Sequence, residues 1–374
     1  MITRDRQAGG GSGDIKRWQG LVFLLVMTIT TLILVFGKLA YDGKEYIYAD
    51  VGSDTAESYL PTYVSFADNL FNGKNDIWVA EYGLGNTIYS KSASVMEPIL
   101  MLVLMITSLV GTAHISTMLI VYKCLTVIGA AIICYFFLNM FSEHYLPSAL
   151  VAYIYAFNGF SIVWGQHYFF SCYGLYAILV IFAVEKYIRS EKNGPSVFLI
   201  FASFLCMLYT AYLTYMIYLT MIAYSLIRYF SINKKTSFSK FLVKFFNLGL
   251  NIVIGFLLSM FVAYPAINVL MGSGRVGQDT SAIGLLIQNL KVWTPIKSVP
   301  AVLQRFLSSN YMGIDSEYIA LDGVGGNFYE AIHLFFSVFV LVFLIQYIYQ
   351  ELLKGNNTKN RILCIVSILL FLFC

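Results

Sequence analysis

The chain has 374 residues, 59% of them apolar and only 12% charged, with 24 Lys+Arg against 20 Asp+Glu and a formal net charge of +4. Soluble domains carry about 25% charged residues, so roughly half of the charge that a water-facing surface needs is missing and lipid must be the main solvent. A soluble enzyme, a disordered regulator and a disulfide scaffold are excluded, and the small basic excess sits in short loops, where it orients a membrane protein and does not indicate nucleic acid.

In chain order, Arg4, Arg6, Lys16 and Arg17 precede a nearly charge-free run from Trp18 to Ala40. Basic residues before a span hold residues 1–17 in the cytoplasm as a short tail. The run is too long for a signal-peptide core and no small-residue cleavage site follows, so it reads as a retained anchor. Tyr41 to Glu97 then carries nine acids against Lys44, Lys74 and Lys91, and reads as a large first extracytoplasmic loop, 41–97. Apolar runs follow at 98–112, 115–141, 147–164, 168–187, 197–230, 245–265 and 331–350.

Run 197–230 would be about 51 Å long as one helix, too long for a hydrocarbon core of about 30 Å, so two short spans turning near Tyr209 to Tyr215 are expected. Arg228, Lys234, Lys235, Lys240 and Lys244, with no acid among them, mark a cytoplasmic loop, which makes 266–330 a second extracytoplasmic region. Parity then requires an earlier run, the 98–112 segment beginning at Pro98, to be re-entrant or interfacial. The expectation is an all-α, polytopic transmembrane helical bundle of about eight to nine spans, with 18–374 a single membrane domain. The chain stops at Cys374, 14 residues after Asn360 and in mid-span, which reads as a fragment of a longer protein. Cys124, Cys134, Cys206, Cys364 and Cys374 lie in apolar runs and Cys172 in an aromatic turn, none in CxxC spacing, so they read as small buried side chains.

Two stretches could carry chemistry. In Tyr48–Tyr63, Asp50 and Asp54 are four apart just past the first span and converge whether the segment is helical or turns at Gly52. Such carboxylates can act as general base on a hydroxyl, or hold a divalent cation (Mg or Mn) that neutralises a phosphate. An acidic loop with no chemistry is the competing reading. In Trp78–Pro98, Gly83, Gly85 and Asn86 allow close backbone approach to a ligand or a neighbouring helix, or form an ordinary turn. Lys123 sits inside an apolar run, where a cation is costly unless it meets an anion or another polar group, or snorkels. Tyr209, Tyr212 and Tyr215 could stack on sugar or isoprenoid, or pack the core. His167, in Trp164–Tyr168, fits a proton shuttle or an interfacial aromatic belt, and the spacing of His114, His144 and His333 does not suggest zinc.

Taken in order, these stretches resemble the YfhO family of bacterial membrane proteins: an Asp five residues before a Tyr after the first span, a Trp, then Gly83-Leu-Gly85-Asn86, then a Pro opening an apolar run. Lys123 sits where the family has a lysine. Ala152 to Phe160 resembles its "AYAFSG" helix, Glu185-Lys186 its "GIE" span end, Tyr209 to Met216 its "YYIxYM" segment, and Pro265 with Gly274-Arg275 its proline and arginine after the following span. The resemblance covers most of residues 20–340. Departures are Val-Met-Glu97 before Pro98, where the family usually has a Ser, and the missing Trp-Leu-Asp in Ser161 to Tyr173.

The family is similar in plan to GT-C glycosyltransferases, which implies a bacterial plasma-membrane enzyme moving a hexose from an undecaprenyl-phosphate donor to an extracytoplasmic glycopolymer such as teichoic acid. By the same resemblance Asp54 would be the base on the acceptor hydroxyl, Asp50 a support for it or for a metal, and Arg275 and Lys123 the cations on the lipid phosphate. A transporter or lipid flippase is the rival reading, for which inverted repeats and interrupted helices would be the signature.

Overall fold

The structure, a computed structural model, describes residues 10–44, 54–71, 78–79, 86–87, 95–163, 165, 167–168, 170–209, 211–233, 237–271, 338–354, 361–362 and 364–365. Its helices are α1 (Gly10–Tyr41), α2 (Leu60–Phe71, entered through a π-helical turn Asp54–Tyr59), α3 (Pro98–Val110), α4 (Ile115–Leu138), α5 (Tyr145–Ala156), α6 (Gly159–Val163), α7 (Tyr173–Arg189), α8 (Val197–Tyr209), α9 (Ala211–Ile232), α10 (Phe238–Leu258), α11 (Met260–Met271) and α12 (Val338–Tyr349). A two-residue antiparallel ladder pairs β1 (Trp78–Val79) with β2 (Asn86–Thr87), a small exception to the all-α expectation.

Hydrogen bonds between helix ends fix the directions. Thr117 Oγ1 at the start of α4 donates to Ala40 O at the end of α1 (2.9 Å), while Tyr135 OH near the end of α4 donates to Arg17 O (2.6 Å), so the two helices run antiparallel. At the Arg17 end, Arg189 Nη1 donates to Met140 O (2.8 Å), and Lys244 Nζ donates to Ser190 O (2.8 Å) and Lys192 O (2.9 Å). Basic side chains therefore collect at this end of the bundle.

Among the described residues, four helical stretches are long and apolar enough to cross a bilayer: Lys16–Tyr41, Thr112–Leu138, Leu213–Ile232 and Phe238–Leu258. Pro98–Val110, Tyr145–Ala156 and Val197–Tyr209 are apolar but shorter. Their 12–13 residues reach about 18–20 Å at 1.5 Å per residue, short of a core of about 30 Å. Run 197–230 is carried by two helices, α8 ending at Tyr209 and α9 beginning at Ala211, and Thr214 Oγ1 donates to Cys206 O (2.7 Å), eight residues back, which one continuous helix could not bring together. Run 147–164 is also broken, between Ala156 and Gly159, where a continuous span was expected.

Apolar surface gains little by leaving lipid for protein, so helix pairs must be held by close packing and polar contacts. Gly255 of α10 shows this. A Cβ there would lie 2.6 Å from Ile200 O and 2.6 Å from Ser203 Cβ of α8, so only glycine permits this approach. The 41–97 stretch is more than a polar loop: α2 packs on α3, and Tyr63, Phe66 and Val95 join the core built by α3, α4, α7, α8 and α9.

Candidate functional site

Of the residues singled out from sequence, Asp50, Gly83, Gly85 and Arg275 lie outside the described residues. Asp54 heads the π-helical turn that leads into α2, Asn86 pairs with Val79 in the ladder, and Tyr212 lies in the first turn of α9, but the side chains of these three are outside the described part of the structure. Lys123 and Tyr209 are described, and both are buried.

Lys123 is 1% exposed on α4. Its Nζ donates to Ser161 O, a carbonyl of α6, the short helix beside the break in the 147–164 run. Asn158 builds that break: its Nδ2 donates to Tyr155 O (2.5 Å) and Ser161 Oγ (3.1 Å), while its Oδ1 accepts from Ser161 N (2.9 Å). Gly165 lies against the ammonium with no room for a Cβ. Among the described residues no carboxylate forms an ion pair with Lys123. One carbonyl uses one of three ammonium donors, so the arrangement retains capacity for an anion.

A second buried charge, Glu97, was not singled out as a site from sequence. It is 2% exposed and caps α3, Oε2 accepting from Leu100 N at 2.6 Å. Oε1 accepts from Tyr176 OH of α7. Tyr63 of α2, Tyr122 of α4 and Tyr209 of α8 lie close enough to interact with the same carboxylate. Tyr209 stacks on Tyr176 at 4.9 Å between ring centres, and Tyr122 OH lies 2.7 Å from Cys172 Sγ. Four tyrosines from four helices thus share one buried cluster with the helix that this acid caps. The Tyr63 hydroxyl has no hydrogen-bond partner among the described residues. Tyr59 continues the aromatic wall, stacked on Tyr63 at 6.4 Å and edge-on to His167 at 6.3 Å. An acid directly before a proline that opens an apolar run is an N-cap signature, and that signal marks Glu97 in the sequence.

Glu97 also places α3. Its cap meets Tyr176 inside the bundle, while its other end, Gly111, leads through a 3₁₀ turn into α4 at the Ala40 end. The helix therefore starts at a buried cap and ends near the Ala40 end of α1.

Glu185 is the contrast. It is also fully buried, but Arg189 Nε reaches Oε1 at 2.5 Å, Arg228 Nε reaches both oxygens at 2.9 Å, and Tyr224 OH donates at 2.7 Å. Both guanidinium groups lie over the Phe141 ring, at 4.6 and 4.8 Å. A buried charge with this many partners ties helices together. Glu97 and Lys123 form no ion pair among the described residues. Intramembrane charges of that kind mark ligand or ion sites.

Tyr122 and Lys123 are consecutive on α4, so they leave that helix about 100° apart, Tyr122 toward the acid cluster and Lys123 toward α6. Cys172, in contact with Tyr122, also lies near Lys123. An anionic group suits the ammonium and a hydroxyl-rich neutral group the acid cluster. Among the described residues no three His, Cys, Asp or Glu side chains converge on a point where a metal would sit. The sequence matches the family described as bacterial membrane protein YfhO over residues 22–297, a stretch that takes in Asp54, Glu97, Lys123 and every helix from α2 to α11. Neither a curated protein nor a solved structure matches it. With a match over well more than half of its length, the chain belongs to the YfhO family of bacterial membrane proteins.

Proposed function

We propose that the protein is a membrane glycosyltransferase that transfers a hexose from an undecaprenyl-phosphate donor to an extracytoplasmic glycopolymer such as teichoic acid. The observation that supports this reading is a buried ammonium, Lys123, and a buried carboxylate, Glu97, neither of them in an ion pair among the described residues, inside a chain of this family. Lys123 takes the lipid phosphate, with Arg275 as a second cation. The Ala40 end of the bundle is then the extracytoplasmic face, and the basic Arg17 end is cytoplasmic, as the positive-inside rule asks.

In the reaction, the acceptor oxygen attacks the anomeric carbon as Asp54 takes its proton. The bond from that carbon to the phosphate oxygen breaks, and the lipid phosphate leaves with the electron pair, its charge met by Lys123 and Arg275. Gly83, Gly85, Asn86, Tyr209 and Tyr212 are the residues left to shape the donor site, and Asp50 supports Asp54. No step is routed through a divalent cation. In cells, Asp54→Ala should abolish polymer glycosylation while the protein level holds, and glycosylation that persists would count against the reading.

A lipid flippase is the second reading, because α5 and α6 are interrupted inside the bundle and a carboxylate is buried there, both features expected of transporters. A proteoliposome assay separates the two. A flippase moves labelled lipid between leaflets without cleaving it, and a transferase converts it to free polyprenyl phosphate.

A further inference from the structure

The Tyr63 hydroxyl is fully buried and has no hydrogen-bond partner among the described residues, although it lies beside a carboxylate. A buried orphan hydroxyl is destabilising, and a phenylalanine of the same shape would remove the problem. Glu97 next to it is unpaired by any cation among the described residues. The polar groups of this cluster are more than its own fold uses.

We propose that Glu97, with the hydroxyls of Tyr63, Tyr122, Tyr176 and Tyr209, is the subsite that receives the sugar ring of the lipid-linked donor. This rests on the transferase reading and adds to it the residues that recognise the sugar. The chemistry selects the ligand class. An anion is repelled by Glu97. A divalent cation needs about six or more oxygen ligands, and the cluster offers one carboxylate. A sugar brings several neutral hydroxyl donors that a carboxylate accepts without a counter-cation. Its C–H faces pack on aromatic rings such as the stacked Tyr176–Tyr209 pair, and Tyr63 OH gains a partner. Lys123 follows Tyr122 of the cluster on α4, and it takes the phosphate of the same donor while the cluster takes the ring. The cluster is closed by its own side chains, and α2, which carries Tyr63, is the wall that no bilayer-length helix supplies.

The test uses the full chain in lipid nanodiscs. Probes are a short polyprenyl phosphate, bare or carrying glucose, galactose or N-acetylglucosamine. In the unaltered protein at least one sugar-bearing probe should bind about tenfold more tightly than the bare phosphate. Glu97→Gln, which keeps an oxygen for the α3 cap, and Tyr63→Phe should each erase that gain while leaving bare-phosphate affinity within about twofold. Tyr63→Phe should melt no lower than the unaltered protein, which a purely structural hydroxyl would not combine with lost sugar affinity. A gain that survives both substitutions overturns the proposal, as does bare-phosphate binding with no gain from any sugar. If the bare phosphate also fails to bind, the transferase reading falls with it.

Discussion

The Tyr176 hydroxyl donates to the Glu97 carboxylate across 79 residues of sequence, joining the start of α3 to α7 inside the bundle. The same carboxylate caps α3 through Leu100 N. One side chain thus sets both the depth of a half-length helix and the polarity around it.

Removing that side chain should therefore be costly in a way that its amide analogue is not. Glu97→Ala leaves Leu100 N and Tyr176 OH buried without partners. A lost cap costs about 1 kcal/mol and an orphaned buried donor about 1–3 kcal/mol, so a loss of about 2–4 kcal/mol is expected. Glu97→Gln should retain most of this, and thermal unfolding in detergent compares the two.

Lys123 and Gly165 should be energetically coupled, because the ammonium occupies the space where a side chain at 165 would begin. Gly165→Ala should lower the melting temperature in the unaltered background and much less in Lys123→Ala. A double-mutant cycle should give a coupling of about 1–3 kcal/mol, whereas additive effects would show that the loop does not rest on the lysine.

Glu185 should behave as a structural residue. Glu185→Ala leaves Arg189 and Arg228 without their carboxylate and should cost about 3–5 kcal/mol, visible as poor accumulation in the membrane. Transfer activity per folded molecule should be unchanged, and a selective loss of activity in well-folded protein would place Glu185 in the site instead.

Gly255→Leu should disrupt the α8–α10 contact, since the backbone of Ile200 and Phe204 lies within 3 Å of any Cβ at that position. Destabilisation should reach several kcal/mol, as overpacking typically costs about 1–3 kcal/mol even where side chains can move. Gly249→Leu on the same helix, where a Cβ meets nothing, is the control and should be close to neutral.

Much of the helix layout was legible because length arithmetic constrains it. The division of run 197–230 into α8 and α9 follows from a run too long for one span, and the start of α3 at Pro98 follows from the proline that opens its apolar run. The break after Ala156 was missed because the apolar run continues through it, although Asn158-Gly159 is a turn dipeptide and Asn158 supplies the hydrogen bonds that make the break. Lys123 stood out because a lone cation in an apolar run is rare, but its carbonyl partner depended on that unseen break. Glu97 is one of nine acids in one stretch; the proline after it marks it as a helix cap, and its burial depends on tertiary packing. The burial of Tyr63 is of the same kind, since the acids around α2 give it the composition of a loop.

Sugar transfer at the lipid phosphate is measured most directly with purified protein in liposomes, using undecaprenyl phosphate carrying a radiolabelled hexose and a teichoic acid acceptor. The label should pass from lipid to polymer, with free undecaprenyl phosphate released in equal amount, and Asp54→Ala should abolish both. Label that stays on the lipid, whether or not it changes leaflet, would contradict the account.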